Sequence, residues 1–207
     1  MVFECWVPLI RDIILAIAGV IGACVAILGL NTWKRQLYGQ SEYDLARRIL
    51  KSLYLFREAM NNARANLMEY SAIPDLPKDQ LEQLSKEEKE YWAIRQEFTK
   101  RWEPIGKARA ELDTNILESE VFWGNEIKEK IAKLSLLYAK WFVAVREHLE
   151  RTNPRDPDET YSVAERKANN AIIYGGSGRT NDAFLDEMLT AIEDIEIVLK
   201  PYMKKGK

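Results

Sequence analysis

The stretch IILAIAGVIGACVAILGL, residues 13–30, decides the fold of this 207-residue chain. It contains no charged residue and no proline, and with the next three residues it reaches the length that a bilayer core requires. Trp6 and Trp33 bracket the stretch, and a helix would hold them roughly 40 Å apart, near the spacing of the two membrane–water interfaces. We therefore predict a transmembrane helix over about residues 13–33, within an N-terminal segment of residues 1–33.

Charges around the predicted span indicate its orientation. Lys34 and Arg35 follow it directly and further cations lie close behind, whereas the N-terminal flank offers only Arg11 and the terminal amine. Because cytoplasmic flanks carry the excess of Lys and Arg, the body, residues 34–207, is expected in the cytoplasm. Lys34, Arg35 and the two bracketing tryptophans are expected at the membrane interface.

Two other interpretations of this segment compete with a permanent span. A cleaved secretory signal is disfavoured by Glu4 and Asp12 near its start and by the lack of a small-residue exit. A lipoprotein signal fits the tetrapeptide that ends at Cys24, and it would place the body outside the inner membrane. The apolar residues that follow Cys24 continue a span instead of starting a polar tether, and the flanking charges also oppose export.

One half of the predicted span carries small side chains and the other half carries bulky ones. Ala18, Gly22, Ala26 and Gly29 lie on the small half. Small residues let two helix backbones approach closely in a bilayer. We therefore predict that the chain is a homo-oligomer that associates through these four residues.

Apolar residues beyond the span recur every three or four positions, the pattern of helices that pack on one another. No stretch alternates apolar and polar residues long enough to predict a strand. The predicted fold class is all-α: an N-terminal transmembrane helix followed by an antiparallel bundle of four to five helices, in one domain of residues 34–207.

Capping and stop residues place the first body helices. Ser41 is the expected N-cap of the first one, after a short hinge at Gly39, and this helix should run to about Glu69. Ser85 opens a second helix through a capping box. Pro104 lies within that second helix and either kinks it or divides it.

The same signals place the remaining helices. A third helix starts after Gly124, and a shorter one covers about residues 158–173. The last helix starts at Thr180 or Asn181 and is stopped by Pro201.

Composition argues against most kinds of chemistry. A net charge of −2 with no basic, aromatic-rich stripe makes nucleic acid an unexpected partner. His148 is the single histidine and the body holds no cysteine, which disfavours zinc sites and thiol nucleophiles. Carboxylates recur at helical spacing and are interpreted as solvated faces. No catalytic residue, metal site or cofactor is predicted, and the chain is not expected to be an enzyme.

A glycine-rich loop, residues 175–178, is the one candidate for a ligand site. Its backbone amides, with Arg179, could wrap an anion in front of the last helix. It is not a phosphate-binding P-loop, because the Gly-Lys-Ser/Thr ending and the preceding strand are missing. A flexible connector is the plainer interpretation. The candidate anion ligands are Gly176, Ser177, Gly178 and Arg179.

Both ends of the chain carry a resemblance. NTWKRQLYG at 31–39, EYDLA at 42–46, DAF at 182–184, AIEDIE at 191–196 and LKPY at 199–202 form a pattern similar to that of bacterial proteins of unassigned function. In those proteins a short N-terminal span precedes a helical cytoplasmic domain. The resemblance implies the same topology, in the bacterial inner membrane, and transfers no site residue.

Three functions are compatible with these features. The first is a non-enzymatic interaction module, anchored in the lipid bilayer, that presents a helical bundle to a cytoplasmic protein partner and associates with itself. The second is an effector of stress or phage defence whose spans cluster and perturb the membrane. The third is a small-ligand sensor or an enzyme that uses the loop at 175–178.

Overall fold

The structure is a computed structural model that describes residues 3–65, 74–156, 160–175 and 182–203, without the side chains of residues 3–10, 12 and 13. These residues form six helices and contain no strand, so the all-α prediction is confirmed for them. The helices are α1 (Phe3–Arg64), α2 (Lys78–Gln83), α3 (Lys86–Trp123), α4 (Glu126–Arg151), α5 (Val163–Ile173) and α6 (Ala183–Met203).

The most consequential feature is the continuity of α1, which runs unbroken for 62 residues. The predicted hinge at Gly39 and the predicted N-cap at Ser41 are wrong. The Ser41 hydroxyl donates to the carbonyl of Leu37, four residues back, at 3.0 Å, as serines do inside helices. Adding a residue to an existing helix is much easier than starting a new one, so a capping residue between two helix-forming segments does not have to interrupt them. The boundary at residue 33 therefore falls inside one helix.

The two halves of α1 have different surroundings. From Ile14 to Tyr38 the side chains are exposed, whereas the second half contributes one buried stripe to the core. The helix ends at Arg64, before the predicted Glu69, which lies outside the described residues. The buried apolar residues of α1 are Leu45, Ala46, Ile49, Leu53, Phe56, Met60 and Ala63.

Four long helices surround one hydrophobic core. α1 packs on α3 and α6, and α4 packs on the same two helices and also on α5. Trp141 of α4 is fully buried in this core, and its indole Nε1 donates to the carbonyl of Ile173 at 3.3 Å. Each long helix therefore buries a stripe against two neighbours.

Polar contacts fix the register of α1 against α3. The Arg48 guanidinium binds the Glu118 carboxylate at 2.6 Å, and the buried Asn115 amide donates to the Ser52 hydroxyl at 3.1 Å. Residue numbers rise along α1 as they fall along α3. The buried Ser52–Asn115 pair favours this register, because a slip would take from the buried Asn115 amide the hydroxyl to which it donates, whereas Ser52 would keep its bonds to carbonyls of α1.

Several predicted helix boundaries need correction. Of the two alternatives left open at Pro104, division of the helix is excluded, because α3 passes through it. α6 continues through Pro201, which does not stop it as predicted. The last helix starts at Ala183, because the carboxylate of Asp182 accepts from the amide of Leu185 at 3.1 Å and caps it. The short helix α2 was not predicted.

One other helix start agrees with the sequence, and another lies five residues later than predicted. Ser85 and Glu88 form the predicted capping box of α3. The helix predicted over about residues 158–173 ends at Ile173 as predicted, but it begins only at Val163, because Ser162 and Glu165 form a capping box there that sequence analysis did not identify.

Candidate functional site

The exposed half of α1 is the first candidate site. Among the described residues, only α1 has a segment long and apolar enough to cross a membrane. On this segment, large apolar side chains that are usually buried are exposed: Leu15 is 62% exposed and Leu28 is 65% exposed. These exposed side chains need an apolar covering that the rest of the described chain does not provide.

The predicted association residues lie together on the exposed half of α1. A Cβ atom added at Gly22 or Gly29 would meet nothing within 4 Å, so these backbone positions are open to close approach by another helix. Ala18 and Ala26 are exposed as well. The four small residues therefore line an unobstructed strip of α1.

The predicted interface residues lie at the end of the apolar segment. Trp33 is 62% exposed, and Lys34 and Arg35 are exposed on the next positions. The side chain of Trp6 lies outside the described part of the chain. Gly176, Ser177, Gly178 and Arg179, the candidate anion ligands, also lie outside the described residues.

The continuity of α1 relates the small strip to the body. Successive residues of an α-helix turn by about 100°, so positions along one unbroken helix can be compared by angle. On this basis the centre of the small strip, near Gly22, lies roughly 180° from the centre of the buried stripe, near Phe56. The small residues thus face away from the body. Two copies that joined through this strip would carry their bodies on the outside.

A second candidate site, which sequence analysis missed, lies at the far end of α1. We name it the Arg64 cluster. Arg64 is fully buried with its side chain 0% exposed, and the Asp182 side chain is 5% exposed. The cluster consists of Arg64, Ala171, Ile172, Gly175 and Asp182.

Two parallel hydrogen bonds join the charged pair of the cluster. Arg64 Nη1 donates to Asp182 Oδ2 at 3.0 Å, and Arg64 Nη2 donates to Asp182 Oδ1 at 2.9 Å. This is the fork geometry in which guanidinium and carboxylate bind most strongly. The guanidinium also lies 4.2 Å from the centre of the Phe184 ring, within the range of a cation–π contact.

The same guanidinium binds the end of α5. Arg64 Nε donates to the carbonyl of Ile172 at 2.9 Å, and Nη2 donates to the carbonyl of Ala171 at 3.3 Å. Carbonyls in the last turn of a helix lack partners within the helix, so Arg64 acts as a cap supplied from another helix. One side chain at the end of α1 thereby joins the end of α5 to the start of α6.

Gly175 is required by this arrangement. Its amide donates to the carbonyl of Arg64 at 2.8 Å. A Cβ atom at this position would clash with the carboxylate of Asp182 and the guanidinium of Arg64, so no other residue fits without moving the ion pair. Gly175 and Asp182 flank residues 176–181, so Arg64 binds the residues on both sides of this segment.

This arrangement bears on the hypothesis of an anion loop. The Gly175 amide already donates to Arg64, and the Asp182 carboxylate already caps α6. The amides of Gly175 and Leu185, which could otherwise bind an anion at the base of the loop, are therefore engaged within the chain, and Asp182 adds a negative charge there. A connector remains the plainer interpretation of the loop.

His148 lies near this end of the body. Burial, followed by the positive charge of Arg166, lowers the pKa of His148 below its ordinary value. Its ring meets Tyr174 edge-on with 6.4 Å between centroids, and its Nδ1 atom has no partner within the described residues. A histidine in this setting is kept neutral by its surroundings.

Two open grooves lie on the body surface. One, of about 370 Å³, runs between α3 and α4 beside Trp102 and Phe142. The other, of about 570 Å³, runs between α4 and α6 beside Leu136 and Ala191. Among the described side chains, no three of His, Cys, Asp and Glu converge as a metal-binding group.

No protein-family model, no curated protein and no solved structure matches this chain.

Proposed function

We propose that this chain is a membrane-anchored, non-enzymatic interaction module that associates with itself. In this proposal α1 crosses the bacterial inner membrane once and carries the body on the cytoplasmic side, where it meets a protein partner. The observation that carries the proposal is that one unbroken helix supplies both an exposed apolar segment and a stripe of the body core. The body is thereby held at a fixed angle to the anchor.

In this proposal the body is an antiparallel four-helix bundle of α1, α3, α4 and α6. The contacts of Arg48 with Glu118 and of Ser52 with Asn115, in which the α1 number rises as the α3 number falls, support this arrangement for α1 and α3. The ion pair of Lys133 with Asp194 at 2.9 Å, together with that of Lys140 with Glu187 at 3.7 Å, supports it for α4 and α6. Such a bundle offers long, rigid faces that can dock onto another protein.

Self-association through the small strip follows from packing in a bilayer. Lipid is as apolar as the side chains themselves, so helices associate where their backbones approach closely. Ala18, Gly22, Ala26 and Gly29 offer such a strip, and it points away from the body. Two bodies would not obstruct one another when the spans join.

Substitution within the span tests this association. Gly22→Ile places a large side chain in the centre of the strip, and we expect it to abolish the signal of the α1 segment in a membrane-helix association assay. Cys24→Ile is the matched control, because it adds the same side chain on the bulky half and should leave the signal intact. An equal signal from the wild-type and Gly22→Ile segments would refute association through this strip.

Fusions to the end of the chain test the topology. A fluorescent protein joined after Lys207 should fluoresce, and alkaline phosphatase at the same position should be inactive, because the body is proposed to be cytoplasmic. Active phosphatase would refute this orientation and would favour lipidation at Cys24. Depolarisation of the membrane on induction would instead favour the membrane-perturbing effector over the interaction module.

A further inference from the structure

The outer face of α4 is apolar although it is exposed. Ala132, Leu136, Ala139 and Val143 recur along it at steps of four, three and four residues. Leu136 is 70% exposed and Val143 is 39% exposed. We name these four residues the α4 face. A helix with an apolar stripe toward water, in addition to its buried stripe, has a second surface suited to packing.

The groove of about 570 Å³ between α4 and α6 borders the α4 face, and Leu136 belongs to both. Its floor contains Leu137 and Ala191, and its walls carry charges sorted by helix. The α4 wall has the lysines, and the α6 wall has the acids. The charged residues of the walls are Lys133, Lys140, Asp186 and Glu187.

Ion pairs across the groove show which residues of α4 and α6 lie side by side. Lys133 Nζ lies 2.9 Å from Asp194 Oδ2, and Lys140 Nζ lies 3.7 Å from Glu187 Oε2. All four side chains remain between 31% and 63% exposed, so each can meet a second charge from outside. Each lysine of α4 therefore lies at the same level along the bundle as an acid of α6.

This order of charges is complementary to itself under one particular symmetry. A two-fold axis parallel to the helices keeps every residue at its own level and exchanges the two walls. The lysines of one copy then face the acids of the other copy at matching levels. The contact of Lys133 with Asp194 and that of Lys140 with Glu187 each form twice between the copies, because the interface is isologous. Charge complementarity of this kind selects a partner and its register more than it adds affinity.

We propose that the α4 face and the adjoining groove bind a second copy of this chain, with a two-fold axis along the helices. Leu136 of each copy covers the groove of the other, and Lys140 of each copy pairs with Glu187 of the other. The inference rests on the proposed membrane anchor in one respect: two copies anchored in the same bilayer stand the same way up, as this axis requires.

Charge reversal in two separately tagged full-length chains tests the pairing. In the first chain Lys140→Glu places two acids opposite each other, and in the second Glu187→Lys places two lysines opposite each other. Each variant paired with itself therefore brings like charges together across the interface. A mixed pair restores an opposite charge at both contacts between the copies. Any damage within each chain is the same in mixed and like pairs, so it does not affect the comparison.

Both chains should be co-expressed and recovered from membranes in mild detergent. We expect mixed pairs to exceed like pairs by about threefold or more. The matched control places Glu103→Lys in one chain and Lys107→Glu in the other. These residues form an exposed ion pair on α3, outside the proposed interface, so the control should leave pairing random. Random pairing of the Lys140 and Glu187 variants would overturn the inference.

The same samples separate this inference from the proposed function. Recovery of the chains in the soluble fraction would contradict the membrane anchor. The proportion of mixed pairs, in either fraction, decides whether two copies pair through the α4 face. Repeating the measurement with Gly22→Ile in both chains removes the contribution of the span. A preference for mixed pairs that survives this change assigns the pairing to the body.

Discussion

Replacing Arg64 with methionine is expected to destabilise the body severely. Methionine keeps a long unbranched side chain, so the change removes the charge with little loss of packing. It deletes four hydrogen bonds, two to the Asp182 carboxylate and two to the carbonyls of Ala171 and Ile172. It also leaves the Asp182 carboxylate, 5% exposed, without its guanidinium. Removing one member of a buried ion pair in this way costs about 3–5 kcal/mol.

The free energy of unfolding can be measured by urea titration of the full chain in mild detergent. Tryptophan fluorescence is the readout, because the fully buried Trp141 donates to Ile173, next to the carbonyl that Arg64 binds. Asp182→Asn and the double variant complete a thermodynamic cycle. The double variant leaves no unpaired charge, so its cost should be smaller than the sum of the two single costs by about 1–3 kcal/mol.

The exposed ion pair of Arg48 with Glu118 provides the matched control. Both side chains are close to half exposed, so Arg48→Met should cost no more than about 1 kcal/mol. A cost for Arg64→Met that is equally small, with an additive double variant, would refute the reasoning. The Arg64 cluster would then be open to water in solution, and α5 and α6 would be held to α1 by apolar packing alone.

Two further predictions test α1 and the buried histidine. Gly39→Ala should raise the urea midpoint and stabilise the chain by about 0.5–1 kcal/mol. Alanine is the better helix former, and its Cβ would meet nothing within 4 Å. A loss of stability would instead favour a hinge at Gly39. His148 has a lowered pKa in the folded chain, so protons bind the unfolded chain more readily and stability should fall as the pH drops below about 6.5. His148→Gln should remove the fall in stability that begins below about pH 6.5 in the same titration, and an unchanged dependence would assign it to another group.

The parts of the fold that the sequence predicted are those with local causes. The stripes of α3 and α4 follow from helical spacing, and the capping box at Ser85 follows from two residues three positions apart. The start predicted at Ser41 shows the limit of such signals. The same residue type caps a helix only when the preceding residues are not helical, and the residues before Ser41 continue α1.

The Arg64 cluster could not be predicted from local patterns, because Arg64 and Asp182 are 118 residues apart in the chain. By its spacing alone, Asp182 belongs with the carboxylates that are interpreted as solvated faces. One signal was available in the sequence. Arg64 follows Met60 by four positions and so continues the apolar stripe of α1, where a charge requires a buried partner of opposite sign. The identity of that partner depends on the tertiary fold.

The two proposed contacts between copies face in opposite directions, one on the span and the other on the body. The strip around Gly22 faces away from the stripe that α1 buries, and α4 packs on the two helices that flank α1, so the α4 face with Leu136 lies across the core from α1. Each contact joins two copies by its own two-fold axis. A chain with two such contacts on opposite sides does not close into a pair; it extends into a row. We therefore expect assemblies larger than dimers only when both contacts are intact, and Gly22→Ile or Leu136→Lys alone should each reduce them to dimers.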